Sequence, residues 1–449
     1  MQQALNQLNG WVWGPFTLWL IGLTGLYLML RLRFIPLRRI GFAVRKTIAS
    51  RSITIGDGDI SAFSSLMTAL AATIGTGNVA GVASAIGVGG PGAVFWMWVM
   101  AIFGMATKYA ESLLAVHHRE VDELGGHVGG PMYVIRNGLG KGWGWLAVLF
   151  AIFGTLAGFG IGNGVQAHEL AKALNVSLGV PPLATGIVFA SITFVVIIGG
   201  IKRIGQVAST IVPLMAIIYV GGAISILITH AAEIPAALIL IFKDAFSAQA
   251  LAGGAIGVMI QKGISRGVFS NEAGLGTAPI AQAAASPGDP VLQGCIAMLG
   301  TFIDTIVVCT MTALIIVMSG EWLPLANTAT PQGVALTMAA FDWGFPGGSW
   351  LVTFGTVFFT ATTILGWGFY SEKCLEYLLG MKAIKTFRLV WVAVVVLGSV
   401  ASFDIVWTIT DILNGLMAIP NLISILLLSG TVIKLTRNYQ FTPHQSETN

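Results

Sequence analysis

The sequence predicts an all-α protein that crosses a membrane many times, and three observations lead to this prediction. Hydrophobic residues make up 55% of the 449 residues and charged residues only 9%, whereas soluble proteins carry roughly 25% charged residues. Uncharged stretches recur along the chain, each long enough for at least one membrane-spanning helix of about 20 residues. Their hydrophobic residues run continuously instead of alternating with polar ones, which excludes a transmembrane β-barrel.

Eleven spans are predicted in order along the chain. Span 1 covers residues 14–33, and the uncharged stretch 60–107 holds spans 2 and 3, divided at Gly89-Gly90-Pro91. Spans 4 to 11 are residues 142–168, 173–201, 204–232, 247–285, 290–319, 347–378, 386–403 and 406–434. The 57 glycines are typical of closely packed membrane helices, some of them interrupted.

Lysine and arginine residues set the predicted orientation. With the N-terminus outside, eighteen of the 23 lie in inner loops, and the outer loops hold only Lys172 and Lys243. The positive-inside rule then places the C-terminus inside, in agreement with an odd number of spans. The basic segment 31–51 is expected to lie on the anionic inner leaflet as a lipid anchor, with a regulatory role as the alternative.

Span 2 contains a stretch that weakens an α-helix at membrane depth. Residues 71–81 read AATIGTGNVAG, with three glycines and two threonines within nine residues. Unwound backbone in a bilayer is tolerated only where it is buried in protein or lines a cavity, so a break here predicts an internal polar site. Close packing of an intact glycine-rich helix is the alternative interpretation.

Span 7 carries a second stretch of this kind. Residues 262–277 read KGISRGVFSNEAGLGT, which is interrupted by glycines and includes Asn271 and Glu272. Spans 2 and 7 are five spans apart, so spans 2–6 and 7–11 form two units of opposite direction, an inverted repeat. Half-helix N-termini at such breaks bind carboxylates, and the freed carbonyls coordinate Na⁺.

The chain is therefore expected to have five parts. An N-terminal span with its basic segment (1–59) precedes the first five-helix repeat (60–232). An outer connecting segment (233–246) leads to the second repeat (247–435), and a cytoplasmic tail (436–449) follows.

Polar residues in two further spans are candidates for the same internal site. Gln166 in span 4 is equally suited to bond a neighbouring helix or a substrate. In span 9, Thr362 and Thr363 supply hydroxyl oxygens of the hard kind that suits Na⁺, although helical threonines also bond to their own backbone. Trp367 follows Thr363 by one turn on the same helix face.

Buried carboxylates need partners inside a membrane protein. Those in or near the spans are Glu111, Glu272, Asp304 and Glu372. Lys108 is expected to pair with Glu111, three residues on, and Arg266 with Glu272 across the break. Structural pairing is the first interpretation for all four, and a proton relay through Asp304 or Glu272 is the alternative.

Three functional classes are alternatives to a sodium-coupled carrier: an enzyme, a channel and a proton-coupled carrier. An enzyme is not predicted, because the chain has no H-E-x-x-H motif and no P-loop, and neither an organic cofactor nor a nucleic-acid partner is indicated. A channel would need an open polar pore, but no rings of carboxylates are present to line one. A proton-coupled carrier that uses Asp304 or Glu272 remains the alternative within the same fold.

Three sequence motifs, in spans 2, 3 and 7, resemble those of one known family, and the resemblance covers essentially the whole chain. Span 3 begins GGPGAVFWMW at residues 89–98, and this closely resembles the signature of the alanine/glycine:cation symporter family. The strings ATIGTGNVAGVA at 72–83 and FSNEAGLGTAPIA at 269–281 are similar to that family's as well. The resemblance implies a LeuT-like fold, with one extra helix before ten core helices, in a prokaryotic inner membrane. It also implies symport of alanine and glycine into the cell with Na⁺ and, in some members, H⁺.

The resemblance further implies the residues of two sites. For the amino acid, the residues are Gly75, Thr76, Gly77 and Asn78 for the carboxylate, with Gln166, Thr363 and Trp367 around it and Ser270 and Asn271 as weaker candidates. For Na⁺, the ligands are the carbonyls of Ala71, Ile74 and Phe359 and the hydroxyls of Thr362 and Thr363. The Trp367 indole is expected to keep the pocket small.

Overall fold

Helices make up most of the structure, a computed structural model that describes residues 2–52, 57–246, 255–286, 288–325, 333–401 and 404–441. In chain order, the α-helices are α1 Gln2–Val12, α2 Pro15–Arg31, α3 Ile35–Arg38, α4 Ile40–Ala49, α5 Ala62–Thr73, α6 Val82–Gly89, α7 Gly92–His117, α8 Pro131–Val134, α9 Gly144–Ala157, α10 Val165–Leu178, α11 Pro182–Ile197, α12 Gly200–Thr229, α13 Ile234–Ala245, α14 Ala255–Asn271, α15 Ala278–Gln282, α16 Pro290–Thr301, α17 Thr310–Ser319, α18 Gly333–Gly344, α19 Ser349–Leu379, α20 Ile384–Val400, α21 Asp404–Leu427 and α22 Ser429–Asn438.

Wider π-helical turns adjoin several of these α-helices. They are Gly77–Gly81, Ile135–Leu139, Gly158–Gly164 and Phe302–Cys309. Such turns leave some backbone groups without their ordinary α-helical partners and often occur at functional sites. Three of the four border residues that the sequence analysis singled out, in spans 2, 4 and 8.

Several helical segments are long and apolar enough to cross a membrane. Among the described residues there are eight, or nine if a bent pair counts as one span. The eight are Gln3–Arg31, Gly92–His117, Lys141–Leu178, Gly200–Thr229, Pro290–Ser319, Ser349–Leu379, Met381–Val400 and Thr408–Leu427. The bent pair is Ala62–Thr73 with Gly77–Gly89. The protein is therefore a multi-pass membrane protein made mainly of helices.

Two predicted spans coincide with shorter helices. Predicted span 5 coincides with α11, which has 16 residues, and span 7 with α14, which has 17 residues. Both are shorter than the about 20 residues that cross a bilayer core without help from neighbouring segments. The count of eleven thus stays a prediction. The predicted start of span 7 at residue 247 and the end of the tail beyond residue 441 lie outside the described residues.

Helix α7 is the most buried of the eight long apolar helical segments among the described residues, because 83% of an 18-residue apolar stretch of it lies inside the protein. Small residues let its neighbours come close. A Cβ added to Gly25 of α2 would lie 2.8 Å from the Cβ of Phe103 on α7. Glycine is therefore needed there for α2 and α7 to pack at their observed separation.

A compact polar clasp ties several segments together at the end of the bundle that carries Arg119. Strand β1 (Ile60–Ser61) pairs in parallel with β4 (Ala285–Ser286), so the start of α5 lies beside the end of α15. Arg119 donates to the carbonyls of Ala283 and Ala285 at 3.0 Å each, and to the Asp57 carbonyl at 2.6 Å.

A hairpin completes this clasp. Strands β2 (Glu120–Val121) and β3 (His127–Val128) pair antiparallel directly after α7. The His127 ring lies 2.8 Å from the Asp57 carboxylate, and its backbone N–H donates to Asp59 at 2.7 Å. Hydrogen bonds to the His127 ring and, to a smaller extent, to Arg119 lower the pKa of Asp57. The ionised form of this carboxylate is therefore favoured within the clasp.

Lowering the pH from about 7 to about 5 is expected to reduce the stability of the wild-type protein by more than it reduces the stability of the His118→Gln variant. Burial, and then the adjacent His117 ring, lowers the pKa of His118 from 6.5 to about 4. In the unfolded chain the His118 ring therefore binds a proton below pH 6.5, whereas in the folded chain it does so only below about pH 4. The contribution of His118 to stability is complete above this window and is lost as the pH falls through it. Thermal unfolding in detergent at both pH values measures the effect, and an equal loss in the variant would contradict it.

Candidate functional site

The first break, residues 74–76, interrupts the helix that begins at α5. Ile74 is extended (φ −73°, ψ 97°), and the helical axis bends by 53° between Ala62–Thr73 and Gly77–Gly89. The Gly75 N–H donates to the Asn78 side chain at 2.9 Å, which holds the loop closed on itself. All three residues of the break are buried. The backbone amides at the start of the following half-helix therefore lie inside the protein, where they can bind an anionic group.

The second break, residues 272–277, separates α14 from α15. Glu272 has a left-handed conformation with φ 55°, and Gly274 and Gly276 have φ values of 93° and 78°. The helical residues beside the two breaks lie against each other, because a Cβ on Gly77 would come 2.9 Å from the Cα of Ser270. Glycine at position 77 is therefore required by this contact between the two helices.

Asp304 joins the two breaks through its carboxylate. It accepts hydrogen bonds from Asn78 Nδ2 at 2.7 Å, Ser270 Oγ at 2.8 Å and Thr305 Oγ1 at 2.7 Å. Asn271 Nδ2 in turn donates to Thr305 Oγ1 at 3.0 Å. The sequence indicated Asp304 as a buried carboxylate and as the alternative site of a proton relay. It did not indicate the contacts with Asn78 and Ser270, because the π-turn that directs Asp304 to them leaves no clear mark in the residue pattern.

Gln166 faces the first break from the helix that follows the π-turn Gly158–Gly164. Its Nε2 donates to Thr76 Oγ1 at 3.2 Å and to the Ile161 carbonyl at 3.0 Å. Its Oε1 is buried and has no hydrogen-bond donor among the residues that the structure describes. A Cβ on Gly75 would lie 3.7 Å from this oxygen. An acceptor is thus left unsatisfied beside the amides of the first break.

Four of the five predicted sodium ligands come together between α5 and α19. Thr363 Oγ1 donates to the Phe359 carbonyl at 2.8 Å and to the Ala71 carbonyl at 3.2 Å, which bridges the two helices. Thr362 Oγ1 lies 3.1 Å from the Phe359 carbonyl and 2.9 Å from that of Phe358. Both threonines therefore bond to their own helix, as the alternative interpretation expected. Thr363 also reaches the Ala71 carbonyl of α5, whereas Thr362 also contacts Met215 Sδ of α12 at 3.8 Å.

Ile74, the fifth predicted ligand, lies at the end of α5, three residues after Ala71. Its extended ψ of 97° turns its carbonyl out of the helical hydrogen-bond ladder. The last carbonyls of a helix have no partner within that helix. Neutral oxygens of this kind, together with hydroxyls, suit a hard cation such as Na⁺.

Trp367 connects α19 to the second break. Its indole Nε1 donates to Glu272 Oε1 at 2.8 Å, and Thr277 Oγ1 donates to the other carboxylate oxygen at 2.5 Å. The indole also covers Gly162, where an added Cβ would overlap the side chain of Trp367. The tryptophan thus packs closely against the π-turn Gly158–Gly164.

The model of the sodium:alanine symporter family matches residues 1–449. The chain belongs to this family. A sodium/alanine symporter of Methanococcus maripaludis, AgcS, is 50% identical over 97% of this chain and 96% of its own. An amino-acid carrier protein of Bacillus subtilis, AlsT, is 38% identical over 97% of this chain and 91% of its own.

A solved structure agrees with the predicted architecture. The crystal structure of MhsT in complex with L-phenylalanine matches with a TM-score of 0.62 at 15% identity, covering 86% of this chain and 94% of that one. This likeness confirms the LeuT-like fold. The protein is a sodium-coupled amino-acid symporter of that fold and not an enzyme. Residues 263–267 read GISRG, which has the letters of a G-x-S-x-G hydrolase motif, but they lie inside the continuous helix α14 rather than on a strand-to-helix turn.

Two charge pairs predicted for the symporter are wrong. Lys108 does not pair with Glu111, because its Nζ donates to the Glu272 carbonyl at 3.0 Å. Arg266 does not pair with Glu272 and instead lies over the Phe269 ring, 5.6 Å from its centroid. In both cases the two charged residues are close in sequence, but each cation has another partner in the fold. Lys108 binds a backbone carbonyl of the second break, and Arg266 lies over an aromatic ring.

The fourth carboxylate of the symporter has the structural partner expected for it. Arg388 of α20 binds Glu372 of α19 with two hydrogen bonds of 2.6 and 2.8 Å. Such a bidentate pair fixes both side chains. Glu372 is therefore part of the contact between α19 and α20, outside the two breaks.

Proposed function

We propose that the symporter carries small neutral amino acids, alanine and glycine, into the cell together with Na⁺ by alternating access. In this proposal eleven spans form an extra helix and two inverted repeats, residues 60–232 and 247–435. The N-terminus is outside and the C-terminus inside an inner membrane, and segment 31–51 lies on the inner leaflet. The bundle with the two breaks rocks against the remaining helices. The 50% identity to a sodium/alanine symporter supports the choice of alanine.

The observation that carries the proposal is the polarity at the first break. A zwitterionic amino acid needs hydrogen-bond donors for its carboxylate and an acceptor for its ammonium group. The Gly75 and Asn78 amides already donate within the loop, so the Thr76 and Gly77 amides between them are the proposed donors at this half-helix N-terminus. Gln166 Oε1 is a buried acceptor without a partner among the described residues. Leaving such an acceptor unsatisfied costs free energy, which a bound ammonium group would recover.

The space at this position supports a small side chain. A Cβ on Gly75 would come 2.7 Å from Thr363 Oγ1, so the break and α19 are already in close contact. Trp367 closes another side through Gly162 and Glu272. Ser270 and Asn271, bound to Asp304 and Thr305, form the wall from the second break. A methyl side chain or a hydrogen fits such a site with the least rearrangement.

Sodium is proposed to bind the carbonyls of Ala71, Ile74 and Phe359 and the hydroxyls of Thr362 and Thr363. The ion would stabilise the unwound backbone of the first break and so prepare the amides for the carboxylate. Each Na⁺ that moves inward gains about 2.3 kcal/mol per 100 mV of membrane potential. This free energy corresponds to roughly 40- to 50-fold accumulation of the amino acid.

Proton coupling is the second candidate, and a specific observation supports keeping it. Glu272 and Asp304 are both fully buried beside the proposed amino-acid site, at 3% and 0% exposure. Glu272 belongs to the second break, and Asp304 accepts hydrogen bonds from residues beside both breaks, so protonation of either would change the contacts between the helices that are proposed to move. The two candidates predict opposite responses to the gradients in the experiment below.

Labelled alanine uptake into liposomes that contain the purified protein tests the proposal. An inward Na⁺ gradient and, separately, a proton gradient without sodium are imposed, with glycine and leucine as competitors. We expect uptake with the Na⁺ gradient alone, blocked by glycine but not by leucine. Uptake with the proton gradient alone would replace sodium coupling by coupling through Glu272 or Asp304. No alanine uptake under either gradient would refute the proposed substrate.

A further inference from the structure

One face of α7 lies along the first half of the second break, residues 272–274. Gly104, Lys108 and Glu111 lie four and then three residues apart, which places them in a row on one side of the helix. A Cβ on Gly104 would lie 2.8 Å from the Cβ of Ala273. Lys108 Nζ donates to the Glu272 carbonyl at 3.0 Å, and Glu111 Oε1 accepts the Gly274 N–H at 3.0 Å. Lys108 and Glu111 are each only 2% exposed.

We propose that Lys108 and Glu111 are positioning residues that fix the shape of the second break. The carbonyls at the C-terminal end of α14 carry partial negative charge, which the Lys108 ammonium group stabilises. The free amide two residues later carries partial positive charge, which the Glu111 carboxylate stabilises. Each charge thus binds the backbone group of opposite polarity, and together they replace the helical hydrogen bonds that the break has lost.

A third side chain braces this arrangement from another helix. Asn421 of α21 donates to Glu111 Oε1 at 2.6 Å and to the Gly274 carbonyl at 2.9 Å. Gly276 has φ 78°, and a Cβ there would lie 2.9 Å from the Asn421 side chain. The carboxylate, the amide side chain and the backbone therefore close a small ring of contacts around the second break.

The positioning role follows from what this break carries. Ser270 and Asn271 precede it and line the proposed amino-acid site, while Glu272 within it holds Trp367. Lys108 and Glu111 bind backbone atoms of the break and not the site itself. The inference rests on the proposed function, because the geometry they maintain matters for transport only if Ser270 and Asn271 face the amino acid.

Lys108→Met is expected to raise the KM for alanine roughly tenfold or more, because a charge-assisted hydrogen bond to a buried carbonyl is lost. The sodium concentration for half-maximal uptake should change less than about twofold, since the sodium ligands lie on α5 and α19. Lys108→Arg, which keeps the donor, should retain most of the alanine affinity. Lys262→Met on α14 is the matched control, and equal loss in this variant would overturn the proposal. Equal shifts in both constants of Lys108→Met would also overturn it, because they would indicate general misfolding.

Exchanging the two charges separates backbone binding from simple pairing. The double variant Lys108→Glu with Glu111→Lys keeps the net charge and the spacing of the two residues. It places the wrong charge at each end of the break, so we expect alanine uptake no better than in either single variant. Recovery of uptake in the double variant would show that the two side chains act as a mutual ion pair and would overturn the proposal.

Hydrogen exchange of the segment 272–277 tests the role without relying on transport. Exchange should be at least about tenfold faster in Lys108→Met than in the wild-type protein, while Lys262→Met should match the wild type. Unchanged exchange in Lys108→Met would overturn the inference even if uptake were lost. Faster exchange in a protein that carries no alanine would leave the positioning role intact and refute only the proposed substrate.

Discussion

Thr363→Ala is expected to raise the sodium concentration for half-maximal alanine uptake roughly ten- to a hundredfold. The Thr363 hydroxyl contacts both the Ala71 carbonyl of α5 and the Phe359 carbonyl of α19. Its removal takes away a proposed ligand of the ion and also the bridge that holds two other ligands together. Uptake by liposomes at varied sodium and saturating alanine measures the change.

Thr360→Ala is the matched control for this prediction. Thr360 is buried on the same helix, but its hydroxyl donates to the carbonyls of Thr356 and Val357 within that helix. The variant should keep its sodium affinity within about twofold, because only a local helical bond is lost. Equal shifts in Thr360→Ala and Thr363→Ala would place the ion elsewhere.

Gln166→Leu should raise the KM for alanine roughly a hundredfold at saturating sodium. Leucine has a similar volume but offers neither the free Oε1 acceptor nor the Nε2 donor that binds Thr76. The ammonium group of the amino acid would then enter a buried site without its acceptor, and Thr76 would lose an anchor. The KM from initial uptake rates and the alanine-induced rise in thermal stability both report the loss.

Gln261→Leu controls for the removal of an amide from a membrane helix. Gln261 donates to the Trp13 carbonyl at 2.9 Å and so links α14 to the N-terminal segment, away from both breaks. This variant should lose some stability but keep the KM for alanine. A normal KM in Gln166→Leu would mean that Gln166 only connects helices and that the amino acid binds elsewhere.

The sequence predicted the elements that depend on local backbone preference. Glycine and threonine at 73–77 weaken a helix wherever it lies, and a break did form at Ile74 to Thr76. Likewise, Thr363 lies at a position that faces α5, whereas the adjacent Thr362 contacts Met215 of α12. The family motifs added the LeuT-like fold, which composition and spacing alone did not specify.

The sequence could not predict which partner a buried charge selects. Lys108 and Glu111 are neighbours on a helix, but each bonds to a backbone group that only the folded second break exposes. The role of Asp304 depends on a π-turn and on two other helices, so no local pattern encodes it. Tertiary contacts decided these cases because a buried polar backbone group gains more from a charged partner than two adjacent side chains gain from each other.

The clasp formed by β1, β4 and Arg119 bears on how tightly the two fluxes are linked. It fastens the segment that precedes α5 to the segment that follows α15, so the two broken helices are tied to each other at this end of the bundle. If the first broken helix bent alone and released Na⁺, sodium would cross the membrane without the amino acid, which is an uncoupled leak. Under the proposed alternating-access mechanism, both broken helices would then move together, and we expect this clasp to suppress such slippage.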